Sequence, residues 1–99
     1  MILVDAITKH EAPGLRYKFC CHMVSDTSAE ELHAFAARLG LQRAWSQERP
    51  TSSAHHYDIT PPKRARAITL GAVAVTSREL VKRNYDGLTA RRAKASVAP

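Results

Sequence analysis

Three times along this chain a short apolar run hands over to a helix-start signal, and that recurrence limits the fold more than any other feature. The first handover runs from Met23-Val24 into Ser25-Asp26-Thr27-Ser28. There Thr27 with Glu30, or Ser28 with Glu31, has the spacing of a capping box, in which a hydroxyl accepts a backbone N–H and a carboxylate reaches back. The second runs from Ile59 into Thr60-Pro61-Pro62, where proline suits the first helical turn. The third runs from Val73-Ala74-Val75 into Thr76-Ser77-Arg78-Glu79, a further capping box. Strand, turn and helix repeated in this order predict a sheet with helices packed on it.

Other stretches fill in that plan. Met1-Ile2-Leu3-Val4 reads as a buried strand that delivers Asp5 at its C-terminal end. Tyr17 to Val24 reads as a strand with Cys20 and His22 on one face and Cys21 and Met23 on the other. Leu32, Phe35, Ala36 and Leu39 form a core-facing helical stripe that Gly40 closes. Leu41 to Gln47 alternates like a strand, with Leu41, Arg43 and Trp45 sharing a face and Trp45 anchoring the core or covering a ligand. Residues 7–16, with Pro13-Gly14, read as a loop, and Glu48 to Ala54 as a polar connection between paired strands. Ala65, Ala67, Ile68 and Leu70 make a short helix ending near Gly71, and the last helix runs to about Tyr85 before Asp86-Gly87. The expected fold is α/β: a small single-domain mixed sheet of about four to five strands with about three helices. It spans residues 1–87, and a basic, disordered tail occupies 88–99.

A chain of 99 residues holds one core and one domain. Cys20 and Cys21 are adjacent and poorly placed to bridge each other, which suits a reducing cytoplasm. The opening MILVDAITKH lacks the basic start of a signal peptide, and no apolar run approaches membrane-spanning length. The net charge of +6 is concentrated late, in Lys82, Arg83, Arg91, Arg92 and Lys94. Such a tail solubilises the chain and weakly attracts nucleic acid or another acidic partner.

Chemistry concentrates in His55 to Arg64, HHYDITPPKR. His56-Tyr57-Asp58-Ile59 reads as a strand, and Lys63 and Arg64 then fall in the first turn of a helix, where the dipole favours acids instead. Two cations beside free amides are a receptor for phosphate or carboxylate. A histidine titrates near working pH, so His22 or His56 is the candidate general acid or base, with Asp58 to orient it. Tyr57, Lys63, Arg64 and His33 are the candidate ligand-binding residues. Asp5, Asp26 and Asp58 each end a strand, and with parallel strands they converge where open α/β sheets bind ligands. Converging carboxylates suit Mg²⁺ or Mn²⁺ with phosphate oxygens. Cys20 and His22 have no second cysteine-containing pair with which to complete a structural zinc site.

Asp5, Cys21-His22-Met23, Asp26, Glu31-Leu32-His33, Trp45 with Gln47, His56-Tyr57-Asp58, Lys63-Arg64 and Gly71-Ala72 together resemble the family catalogued as domain of unknown function 4031. The resemblance covers residues 1–75 and implies a small stand-alone cytoplasmic protein of bacteria or their phages. It carries no established activity across. Ser46 stands where the family usually has an aromatic residue, and Arg66 where it has an apolar one. The expected function is binding of a phosphate-bearing ligand, a nucleotide or nucleic-acid end, with hydrolysis as its chemistry. The alternative is a non-catalytic accessory module that docks on a host protein or nucleic acid.

Overall fold

The sheet is assembled on one central strand. The computed structural model describes residues 1–9, 19–46 and 56–84. In chain order it contains β1 (Ile2–Val4), β2 (Thr8–Lys9), β3 (Phe19–Ser25), α1 (Ala29–Arg38), a 3-10 turn (Arg43–Trp45), β4 (Tyr57–Ile59), α2 (Pro61–Thr69), β5 (Val73–Ala74) and α3 (Ser77–Arg83). β3 pairs antiparallel with β1, β2 and β4, while β1 pairs parallel with β5. Met23 is opposite both Val4 and Tyr57, so β1 and β4 flank β3 on opposite sides. β1, β4 and β5 therefore run one way and β3 the other, a mixed sheet of five strands with three helices. The α/β reading holds.

Alternation along the strands sorts the side chains onto two faces. One face presents Ile2, Val4, Cys21, Met23, Tyr57 and Ile59 to Leu32, Phe35, Ala36 and Leu39 of α1 and its cap, and to Ala67 of α2. The other presents Leu3 and Val24 to Leu80 of α3. Full burial of one such aliphatic side chain stabilises the fold by roughly 1.5–3 kcal/mol. The second core is the smaller, and it leaves the rest of the α3 face to polar residues.

The helix starts fall where their caps predict. Ser28 Oγ accepts the Glu31 N–H at 3.1 Å and Thr76 Oγ1 accepts the Glu79 N–H at 3.1 Å. Only half of the first box forms. Glu31 turns its carboxylate to the Ser25 hydroxyl at 2.7 Å, and the Ser28 N–H goes to Ser25 Oγ at 3.1 Å. Gly40, at φ +78, and Gly71, at φ +114, take the left-handed conformation that ends α1 and α2 without the Cβ strain of other residues.

Two expectations fail. Leu41 to Ser46 is not a strand: Trp45 N–H bonds to Gln42 O at 2.9 Å and Ser46 N–H to Arg43 O at 3.0 Å, closing a 3-10 turn. A strand there would put Arg43 on the same face as Leu41 and Trp45, and Trp45 instead stays 48% exposed, outside the core. Conversely, Thr8–Lys9 is a strand where a loop was expected, because pairing with Phe19 and Cys20 supplies what its polar sequence does not signal. The start of the predicted 17–24 strand, His10 and Glu11, Gln47, the 48–54 connection, His55, the end of the last helix at Tyr85 and the 88–99 tail lie outside the described residues. Among the described residues no helix is long and apolar enough to cross a membrane.

A candidate His-Asp site on the sheet

The α3 face of the sheet carries a row of polar residues across β1, β3 and β4. His22 pairs with Asp58 in the β3–β4 ladder, and the Asp5 N–H bonds to His22 O at 3.2 Å from the β1 side. Residues opposite one another project to the same face, so Asp5, His22 and Asp58 stand side by side. His56, two residues before Asp58, joins them, with its ring centroid 5.3 Å from that of His22 in an edge-on arrangement.

Asp5 is the organiser of this row. Between β1 and β2 the register against β3 slips by one residue: Val4 pairs with Met23 and Thr8 with Cys20, four steps on one side against three on the other. That slip is a bulge, and bulges re-aim side chains. Asp5 Oδ1 accepts the His22 backbone N–H at 2.7 Å, and Oδ2 meets His22 Nδ1 at 2.9 Å and the Ser77 hydroxyl at 2.8 Å. Its carbonyl accepts Arg64 Nε at 2.7 Å. Burial alone would raise the Asp5 carboxyl, which is 1% exposed, but the bonds from the His22 ring, the His22 N–H and Ser77 outweigh it and hold the group below its ordinary value. A buried carboxylate on Nδ1 keeps the ring proton there and turns the Nε2 lone pair outward.

Outward is where the other groups lie. His22 Nε2 is 3.8 Å and His56 Nε2 3.6 Å from the same oxygen, Asp58 Oδ1. One ligand atom from each of these residues falls within 4.8 Å of the others. The side chains of His22 and Asp58 are 40% and 44% exposed, so the cluster opens to solvent. Cys20 shares this face; burial pushes its thiol up, and the charges of Asp58 and Asp5 push it further. Cys21 is in the core, its thiol pushed up to about 12 chiefly by burial. It packs as a small hydrophobe.

His22, His56 and Asp58, the candidate catalytic residues, come together, and Asp5 supports them. Arg64 reaches this row at the Asp5 carbonyl, and the remaining candidates go elsewhere. Asp26 does not converge with Asp5 and Asp58, because β3 runs antiparallel to both of their strands and carries Asp26 to the opposite end. There it bonds Arg83 Nη2 at 3.0 Å and the Met1 amine at 3.0 Å. Tyr57 faces the main core, where its hydroxyl meets His33 Nδ1 at 2.6 Å. Lys63 Nζ donates to Leu39 O at 2.5 Å, so it neutralises the negative end of α1. The amide cradle expected at the start of α2 is thin, because Pro61 and Pro62 have no N–H and the Arg64 N–H is taken by Thr60 O at 2.8 Å. Ser77 is the member of the site that sequence reasoning missed. It reads as the second residue of a capping box, and only the parallel pairing of β5 with β1 brings it to Asp5.

No curated protein and no solved structure matches the chain. The model of the family described as protein of unknown function (DUF4031) matches residues 2–87, a span that contains Asp5, His22, His56, Asp58 and Ser77. The chain belongs to that family.

Proposed function

We propose that the open cluster of His22, His56 and Asp58 binds a phosphate-bearing ligand, a nucleotide or nucleic-acid end, and positions water to hydrolyse it. The observation that supports the reading most is the Asp5–His22 pair: a buried carboxylate 2.9 Å from Nδ1 fixes an imidazole whose other nitrogen faces an exposed carboxylate and a second imidazole. Fixing a ring in this way limits the imidazole's choice of rotamer and tautomer and is characteristic of reactive or ligating histidines. The formal charge of +6 favours anionic partners. The free thiols of Cys20 and Cys21 suit a reducing cytoplasm.

The test compares the wild type with His56→Ala and Asp58→Asn, both at part-exposed positions, with circular dichroism to check that each variant is folded. Release of inorganic phosphate or nitrophenol is followed from a nucleoside triphosphate, p-nitrophenyl phosphate and bis-p-nitrophenyl phosphate, with and without added divalent ions. Turnover by the wild type that falls about 100-fold or more in either variant supports the reading. No turnover, together with no thermal stabilisation by phosphate or nucleotides, would leave a non-catalytic docking module as the better description.

A further inference from the structure

The charge of the cluster raises a difficulty that points to its cofactor. Two carboxylates, Asp5 and Asp58, flank the His22 ring, and carboxylates repel a phosphate. A cation seated among these side chains would offset that charge at the open side of the cluster, whereas the donors of Lys63 and Arg64 go to the backbone carbonyls of Leu39 and Asp5.

We propose that His22 Nε2, His56 Nε2 and an oxygen of Asp58 bind one divalent ion of the zinc class, with Asp5 and Ser77 as its supporting shell. The inference rests on the placement of function at this cluster and names the cofactor that would make it attractive to a phosphate. Both nitrogens lie 3.6–3.8 Å from Asp58 Oδ1, too far for good hydrogen bonds. Two ligand atoms each about 2.1 Å from a tetrahedral ion are about 3.4 Å apart. Both nitrogens are within a few tenths of an ångström of that spacing from Asp58 Oδ1, and the three ligand atoms all lie within 4.8 Å of one another, so side-chain rotation at these part-exposed positions has to close the set. The second requirement is an orienting partner behind a ligating histidine, and the Asp5 carboxylate on His22 Nδ1 is that partner, itself held by Ser77 at 2.8 Å.

The donor set decides the class of ion. Mg²⁺ prefers all-oxygen surroundings, whereas two imidazoles and one carboxylate suit Zn²⁺, Mn²⁺, Co²⁺ or Fe²⁺. Three protein ligands leave a position open to water or to a phosphate oxygen, as in catalytic rather than structural sites. The ion would bring the four-residue set to neutrality. In this arrangement each imidazole holds the ion through Nε2, and the His22 ring proton stays on Nδ1 against Asp5.

The experiment is calorimetric titration of the chelator-treated full chain with Zn²⁺, Mn²⁺ and Mg²⁺, together with the visible spectrum after Co²⁺ addition. We expect one ion per chain, with Zn²⁺ bound at least 100-fold more tightly than Mg²⁺ and a Co²⁺ spectrum of low coordination number. His56→Ala and Asp58→Asn should each weaken Zn²⁺ at least 100-fold. Asp5→Asn should weaken it 10- to 100-fold while circular dichroism shows the fold intact. Unchanged Zn²⁺ affinity in both His56→Ala and Asp58→Asn would overturn the proposal, as would a loss seen only in Cys20→Ser. Because the readout is the ion itself, binding without phosphoester turnover would refute the proposed activity and leave the metal site standing. Metal-independent turnover lost in the same variants would do the reverse.

Discussion

The Asp5 carboxylate takes over ladder duty on the β3 side: Oδ1 accepts the His22 N–H at 2.7 Å, and the Asp5 carbonyl is released to Arg64 Nε at 2.7 Å. One residue thus ends β1, re-aims His22 and receives the start of α3 through Ser77. Asparagine at this position can keep at most part of the set, because its amide nitrogen cannot accept. Alanine keeps only the main-chain bonds and leaves the His22 N–H and the Ser77 hydroxyl without their acceptor. Asp5→Ala should therefore lower the unfolding free energy by about 3 kcal/mol and Asp5→Asn by roughly half of that, measured by urea denaturation. A loss below about 0.5 kcal/mol for Asp5→Ala would show that the network adds little to the fold.

Lys63 and Arg64 look misplaced from the sequence because a helix start disfavours cations. The fold answers both of them. Lys63 serves the end of α1 and Arg64 the end of β1, two elements far apart in the chain. Lys63→Met should cost about 1 kcal/mol and Arg64→Met about 1.5–3 kcal/mol, since hydrogen bonds from charged donors exceed neutral ones. Equal or greater stability in either variant would mean that dipole repulsion dominates and that these bonds are dispensable.

Local signals carried well from sequence to structure, and pairing did not. The caps at Ser28 and Thr76, the start of α2 at Thr60-Pro61 and the glycine ends at Gly40 and Gly71 rest on interactions within a few residues, which the sequence states directly. The face shared by Cys21 and Met23 follows from strand alternation in the same way. Strand direction depends on distant partners. Reading β3 as parallel to β1 would bring Asp26 to Asp5, and the antiparallel ladder separates them. Within the candidate site, His22, His56 and Asp58 were legible as residue types rich in chemistry, while Ser77 was hidden because β5 pairs with β1 across seventy residues of chain. Trp45 shows the opposite limit, since alternation over so short a run does not specify a strand, and the segment closes a 3-10 turn instead.

Tyr57 lies between two site residues in sequence and on the other face in space. Its hydroxyl meets His33 Nδ1 at 2.6 Å within the main core. Tyr57→Phe keeps the packing and removes that contact, so it should cost about 1 kcal/mol of stability. Zn²⁺ affinity and phosphoester turnover should stay within about twofold of wild type, as expected for a residue outside the cluster. A tenfold loss of either would place Tyr57 functionally with His56 and Asp58.

Acid should unfold this protein through identifiable carboxylates. Burial disfavours the charged forms of Asp5, Asp26 and Glu31, yet their hydrogen bonds outweigh it and hold all three below their ordinary values of 3.8, 3.8 and 4.5. For Asp5 the offsetting donors are His22 and Ser77. For Asp26 they are the Met1 amine, Thr27 and Arg83, and for Glu31 the amine and Ser25. A depressed folded value means that the unfolded chain binds more protons through this range, so stability rises with pH there. The contribution is complete above the ordinary values and disappears as pH falls through the lower folded ones. Urea midpoints should be flat with respect to these groups from about pH 7 to 5 and then drop steeply below about pH 4.5. Asp5→Asn, which has no carboxyl to protonate, should start lower but lose less between about pH 4 and 2.5, so the two curves approach each other in acid. Parallel curves across that interval would show that Asp5 is not ionised in the native state, and that the His22 ring is held by something other than its charge.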